Sequence, residues 1–209
     1  MKPTQQNPIT NVFDRHQVAY SNYAKAYDVA VKVLPIWKTW IKSVLPHIQG
    51  PHVLEASFGT GYLLTQYADR YEVSGIDLNE TMVETAKQNL AKCGQKAYLR
   101  QANVESLPYP DQAFDTIVNT MAFSGYPDGD RAMSEFKRVL KPGGKILLVD
   151  FVYPEGNNFP ATKLTAIMDK AGDIIRDLDA LFLAHELRFR REAVGGFGAV
   201  CLFIAEKER

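Results

Sequence analysis

Residues 53–64 read VLEASFGTGYLL. The apolar run His52–Ala56 predicts a strand, Ser57–Gly61 a turn, and Tyr62–Arg70 a short helix. Gly59 and Gly61 carry no Cβ, so the backbone there can pass close to a ligand. A helix that follows such a turn offers free N–H groups at its start. A second strand candidate, Val73–Ile76, ends at Asp77. An acid in that position can accept hydrogen bonds from both hydroxyls of a ribose. Together these features predict a nucleoside-binding crevice at the C-terminal ends of parallel strands. The competing reading is a purely structural turn, with Asp77 capping the next helix.

Outward from this stretch, strand-like and helical patterns alternate. Asn79 is an N-cap for a helix that runs to Cys93 and stops at Gly94. Ala97–Leu99 and Phe114–Val118 predict a third and a fourth strand. Asp130–Leu140 predicts a helix closed by the run KPGG, and Lys145–Val152 a strongly apolar fifth strand. Residues 161–185 are mostly helical in pattern. Leu187–Val194 and Phe197–Ala205, joined by Gly195–Gly196, predict a terminal hairpin. Strands separated by helices pair in parallel, whereas a hairpin partner is antiparallel. The expected fold is therefore α/β: a Rossmann-like, doubly wound, seven-stranded sheet, mostly parallel, with an antiparallel C-terminal hairpin strand. One domain is expected over 1–209, with an N-terminal helical cap over 1–45 and the core over 50–205. Within the cap, Val29, Val33, Trp37, Ile41 and Leu45 recur on one helical face, which Pro35 interrupts.

Composition excludes several classes. Twenty-four basic residues balance 24 acidic ones among 209, so the basic excess that phosphate polymers select is absent and nucleic acid is not an expected partner. The longest nearly apolar stretch, Val194–Ala205, is too short and too glycine-rich to span a bilayer. The first residues, MKPTQQNPITNVFDRH, have no secretory h-region. Cys93 and Cys201 show no metal spacing and are expected as free thiols, and the four histidines are scattered. No metal is expected, and the expected location is the reducing cytoplasm.

A nicotinamide crevice would carry G-x-G-x-x-G, but its third glycine is Leu64 here and the strand before it bears Glu55, which a pyrophosphate would disfavour. A cationic nucleoside without phosphates suits the acid better. The chain resembles the class I S-adenosylmethionine-dependent methyltransferases over roughly residues 50–205. EASFGTG (55–61) resembles their motif I, and GIDLNETMVETAK (75–87) their second-strand motif. NVESLPYPDQAFDTIV (103–118) resembles the stretch through the fourth strand. FKRVLKPGGKILLVDF (136–151) resembles the segment leading into the fifth. The likeness is nearest to the group that includes quinone and small-molecule methyltransferases. Ser57 stands where the family has its first glycine, and Asn103 where it often has Asp. Asparagine still accepts through its carbonyl oxygen.

The resemblance implies S-adenosylmethionine as cofactor. It places Asp77 on the ribose, Leu78 against the adenine, and Asn103 and Val104 at the adenine edge. It also places Gly59 and Gly61 along the methionine portion, and Glu55 and Asn119 near its amino-acid tail. Ala56, Ser57, Met82 and Tyr27 complete the implied cofactor set. Tyr20, Tyr23 and Tyr27 could instead form a packed helix face.

Methyl transfer from a sulfonium is an in-line displacement that draws on alignment and needs a base only for a protonated acceptor. Candidate bases are His185 and Tyr20, although His185 also reads as a residue interacting with a helix C-terminus. Residues 1–45, 120–130 and 153–186, rich in aromatic and apolar side chains, are expected to build a site for a small, partly apolar, lipid-like or quinone-like acceptor. The Trp37–Trp40 pair could touch a membrane surface or pack in a core. A cofactor-binding protein without transferase activity remains the alternative function, and a nicotinamide-dependent oxidoreductase a further one.

Overall fold

The computed structural model describes residues 35–154 and 156–208. The chain divides between Thr39 and Trp40, and the unit from Trp40 onward holds the entire sheet. In chain order the elements are α1 (Pro35–Lys42), β1 (His52–Ala56), β2 (Glu72–Asp77), α2 (Glu80–Lys92), β3 (Tyr98–Gln101) and β4 (Phe114–Thr120). They continue with α3 (Gly129–Val139), β5 (Leu140–Phe151), α4 (Phe159–Ala171), α5 (Leu178–Ala184), β6 (Leu187–Gly195) and β7 (Val200–Lys207).

The sheet order is β3-β2-β1-β4-β5-β7-β6. The first five strands pair in parallel, and β7 enters antiparallel between β5 and β6. The order reverses direction between β1 and β4, so a crevice opens beyond their C-terminal ends, where Ala56 faces Asn119. Central strands covered on both faces should be apolar throughout. Residues 146–152 and 200–205 are accordingly buried without interruption.

Local chemistry explains most boundaries. Asn79 accepts from Thr81 N and starts α2, which buries Val83, Ala86 and Leu90 and ends before Gly94 in the left-handed region. Asp128 accepts from Arg131 N to start α3, whose buried Ala132, Met133, Phe136 and Val139 recur on one face.

Several boundaries differ from the sequence expectation. Residues 62–70 form no helix beyond a single 3₁₀ turn at Leu64–Gln66. Tyr67 leaves helical geometry at φ −149°, which carries its ring inward. The fifth strand starts at Leu140, not Lys145: Phe114 pairs with Leu140 and Thr116 with Lys145, so Lys141–Gly144 bulges out. Residues 161–185 split into α4 and α5 at Gly172, which caps α4 at φ +111°. Phe197 lies in the hairpin turn at φ +58° rather than in the last strand.

Trp40 is buried, in line with the core alternative for that residue. Trp40 seals the hairpin: a Cβ added at Gly195 would collide with its indole Nε1. Gly195 is extended, so the constraint is packing and not backbone strain. Among the described residues no helix is long and apolar enough to cross a membrane, and no His, Cys, Asp and Glu cluster could hold a metal. Gly195→Ala should destabilise the protein by about 1–3 kcal/mol through overpacking. A urea midpoint equal to that of the parent would show that Trp40 does not cover the hairpin.

Candidate active site

The turn after β1 is held from three sides. Gly59 N donates to Asp77 Oδ2 at 2.9 Å, and Asn79 N donates to Oδ1 of the same carboxylate at 2.9 Å. Asn89 Nδ2, from α2, donates to Thr60 O at 3.0 Å. Gly61 lies against α2 so closely that an added Cβ would meet Ala86 Cβ at 2.8 Å. Gly59 is different: at φ +55° a Cβ would meet nothing within 4 Å. The turn is rigid where it meets the protein and open on the side that a ligand would approach.

Two carboxyls are buried here. Glu55, on β1, accepts from Tyr67 Oη at 2.6 Å. Burial pushes its pKa up to about 8, the Tyr67 hydrogen bond opposes that rise, and the negative charge of Asp77 adds to it. The same burial, together with Glu55, drives the Tyr67 phenol well above its usual range. Asp77 is raised by burial and pulled back by the backbone N–H groups it accepts from. Among the described residues neither carboxyl meets a Lys, Arg or His within salt-bridge distance.

Across the crevice, Asn119 Nδ2 donates to Ala56 O at 3.0 Å and to Tyr126 Oη at 2.7 Å. A carbonyl can only accept, so the contact with Ala56 fixes which end of the amide is nitrogen. Asn119 Oδ1 is then buried with no hydrogen-bond partner among the described residues. Tyr126 Oη also shares a 2.7 Å hydrogen bond with Ser57 Oγ. The segment that carries Tyr126 is fixed beneath by Asp150, at the end of β5, which accepts from Ser124 N at 2.9 Å. Burial raises the Asp150 pKa to about 6, against the hydrogen bonds from Ser124 and Phe151. Ser124 Oγ donates to Asp173 Oδ1 at 3.0 Å, and Arg176 donates to the Phe123, Tyr126 and Pro127 carbonyls.

The model of the methyltransferase domain family matches residues 54–148, the span from β1 into β5. The chain is 30% identical over 186 residues to the ubiquinone/menaquinone biosynthesis C-methyltransferase UbiE of Shewanella sp. (strain ANA-3), covering 81% of this chain and 74% of that protein. The UbiE of Shewanella baltica (strain OS155) is 32% identical over the same coverage. This chain belongs to the class I S-adenosylmethionine-dependent methyltransferases. The fold agrees. A possible histamine N-methyltransferase from Thermotoga maritima superposes with a TM-score of 0.71 at 19% identity, covering 91% of this chain and 99% of that one. YcgJ from Bacillus subtilis gives 0.68 at 20% identity, covering 81% and 98%. The protein is an enzyme that uses S-adenosylmethionine, and both alternative functions give way to this one.

The residues of this methyltransferase fit that cofactor. Buried carboxyls without a cationic partner, a buried unmatched amide oxygen and an open Gly59 suit a positively charged ligand and would oppose a pyrophosphate. The structure brings Glu55, Ala56, Ser57, Gly59, Gly61, Asp77 and Asn119 to one end of β1, β2 and β4. Leu78 follows at 52% exposure, an apolar side chain left facing outward, and Met82 lies half-buried in the first turn of α2. Asn103 is exposed, and its Oδ1 accepts from Glu105 N at 2.9 Å; Val104 is buried beside it in the core.

Tyr20, Tyr23 and Tyr27 lie outside the described residues. His185 forms a 2.9 Å contact with Asp130 Oδ1 at the start of α3, and none of its contacts reaches the turn after β1. The sequence reading missed Tyr67 and Arg176, and it gave Tyr126 no more than a place in the acceptor loop. A tyrosine that follows a glycine turn was the one available sign of the first.

Asp77→Asn would set an N–H donor against one of the two backbone donors, so S-adenosylhomocysteine affinity should fall at least roughly tenfold, with a lower melting temperature. Calorimetric titration checks this, and an affinity within about twofold of the parent would exclude Asp77 from holding the turn. Glu55 provides a pH signature. Its folded pKa of about 8 exceeds the ordinary 4.5, so the stability tied to its protonated form is complete below 4.5 and lost as the pH rises through 8. Glu55→Gln keeps an acceptor for Tyr67 but cannot ionise. Its denaturation midpoint should match the parent near about pH 5 and exceed it near about pH 8, by up to roughly 1.4 kcal/mol per pH unit crossed. Parallel midpoint curves would show that Glu55 ionises normally.

Proposed function

We propose that this methyltransferase seats its cofactor on the 55–61 turn and methylates a small, partly apolar ring of the quinone type held further along the same rim. The observation that carries this reading is a cavity between the C-terminal end of β5, the start of α5 and β6. It has a volume of about 290 Å³, near the lower end of the roughly 300–1,000 Å³ usual for small-molecule sites. Val152 and Leu178 supply apolar walls, Tyr153 an exposed aromatic ring, and Arg176, Arg191 and Asp179 polar groups. Arg191 and Asp179 pair at 2.8 Å, so the lining offers donors and acceptors without a large charge excess. Such a lining suits a ring with oxygen substituents better than a polyanion. The relationship to the UbiE enzymes, named for quinone biosynthesis, supports the same class.

On this reading Asp77 and Gly59 fix the ribose side, and Leu78, Met82, Asn103 and Val104 bound the adenine. The amino-acid tail turns toward Asn119, whose Oδ1 gains a donor in the ammonium group. When bound, S-adenosylmethionine supplies an electrophilic methyl on a sulfonium centre. The protein contributes alignment, a dry floor of β4 and β5 residues and acceptors for positive charge. A base is required only if the acceptor arrives protonated.

Incubation with methyl-labelled cofactor and a set of hydroquinones and naphthohydroquinones should give a labelled ring product. Tyr153→Ala, which removes an exposed side chain, should raise the acceptor KM by about three- to tenfold, the range of one aromatic contact, and leave S-adenosylhomocysteine affinity unchanged. Labelling of other small molecules in a cell extract, with every quinol unlabelled, would overturn the acceptor class.

A further inference from the structure

Arg176 has an arrangement that the cofactor site does not account for. Its Nη1 donates to Phe123 O at 3.1 Å and Ile174 O at 3.3 Å. Its Nη2 donates to Tyr126 O and to Pro127 O, the latter at 3.2 Å. The guanidinium lies 5.9 Å from the centre of the Phe123 ring, and Gly129 makes room for it: a Cβ there would meet Arg176 Nε at 2.7 Å. A planar fork of five donors over two terminal nitrogens and Nε fits spread carbonyls in a fixed geometry that a compact ammonium does not reproduce. The segment 123–127 is thereby locked, and with it the direction of the Tyr126 ring, which also stacks edge-on against Phe123 at 5.3 Å.

The far end of Tyr126 reaches the other site. Its hydroxyl lies 2.7 Å from Ser57 Oγ and 2.7 Å from Asn119 Nδ2. Ser57 is a non-glycine residue at φ +58°, a left-handed conformation that L residues disfavour. A hydrogen bond at its side chain helps hold it there. Without Tyr126, Ser57 would relax and Asn119 Nδ2 would lose one of its two acceptors, freeing the amide to turn.

We propose that Arg176 is a positioning residue for the cofactor turn, acting through Tyr126 on Ser57 and Asn119 without touching the cofactor. The strut runs from the wall of the acceptor cavity, through one tyrosine, to the end of the crevice that receives the amino-acid tail. It assigns a role to the serine at the family's first glycine position: Ser57 is the attachment point of the strut. The proposal rests on the cofactor lying at the 55–61 turn, which Asp77→Asn tests separately.

The experiment is a calorimetric double-mutant cycle with Tyr126→Phe, Arg176→Lys and the double variant. The probes are S-adenosylhomocysteine and 5′-methylthioadenosine, which lacks the amino-acid tail. Tyr126→Phe keeps the ring and its packing, and Arg176→Lys keeps the charge but not the fork. Each single variant should bind S-adenosylhomocysteine about three- to tenfold more weakly, the scale of one or two lost hydrogen bonds, with 5′-methylthioadenosine affinity within about twofold of the parent. The double variant should be no weaker than the weaker single one, because both changes cut the same strut. Multiplicative losses, an unchanged Arg176→Lys, or equal losses for both probes would each overturn the proposal. Normal binding by these variants beside a defective Asp77→Asn would sink the strut and spare the cofactor placement.

Discussion

Asp77 ends β2 with both carboxylate oxygens accepting from backbone N–H groups, one from the turn after β1 and one from the residue that caps α2. A single side chain therefore sets where the turn lies relative to the next strand and where the next helix begins. Charge-assisted hydrogen bonds of this kind are about twice as strong as neutral ones. The remaining supports of the turn follow from this one. Gly61 can lie on Ala86 because α2 starts where Asp77 and Asn79 place it, and Asn89 reaches Thr60 from the same helix. Gly75 belongs to the same unit: a Cβ there would strike Phe58 at 2.7 Å, so the glycine of the second strand accommodates the aromatic side chain of the turn.

That arrangement concentrates acid at the crevice. Glu55 and Asp77 are both buried, both are raised by burial, and the Asp77 charge further disfavours ionisation of Glu55. A cationic ligand changes that balance by favouring the charged carboxyls, so the cost of burying them is partly offset when a sulfonium and an ammonium arrive. Tyr67 keeps Glu55 hydrogen-bonded meanwhile.

The sheet and the core of the site were legible from sequence because their signals are local. The N-cap at Asn79, the stop at Gly94, the glycine turn and the hairpin glycines each act within a few residues. The misplaced boundaries arose where a distant partner outweighed local pattern. Tyr67 breaks the expected helix to reach Glu55, and the KPGG bulge lengthens the fifth strand by pairing Leu140 with Phe114. Contacts with no local signature stayed hidden. Ser57 and Tyr126 are 69 positions apart, and Arg176 and Tyr126 are 50 apart; no periodicity links them. Asp150 read simply as part of an apolar strand, yet it is the buried acceptor that fixes Ser124 under the crevice.

Ser57 shows how a departure from a family pattern can be absorbed. Glycine would adopt φ +58° without strain, and serine there is disfavoured by steric crowding of its Cβ. The hydroxyl that accompanies the Cβ is also the group that meets Tyr126. A net hydrogen bond is worth about 0.5–1.5 kcal/mol, similar to the strain it accompanies, so the substitution is near neutral for folding while adding a connection that glycine cannot make. The connection leads, through a ring wedged on Phe123 and a guanidinium that caps four carbonyls, to the wall of the neighbouring cavity. A glycine at position 57 would remove the hydrogen bond between the turn and the Tyr126 hydroxyl, and that direct link across the rim with it.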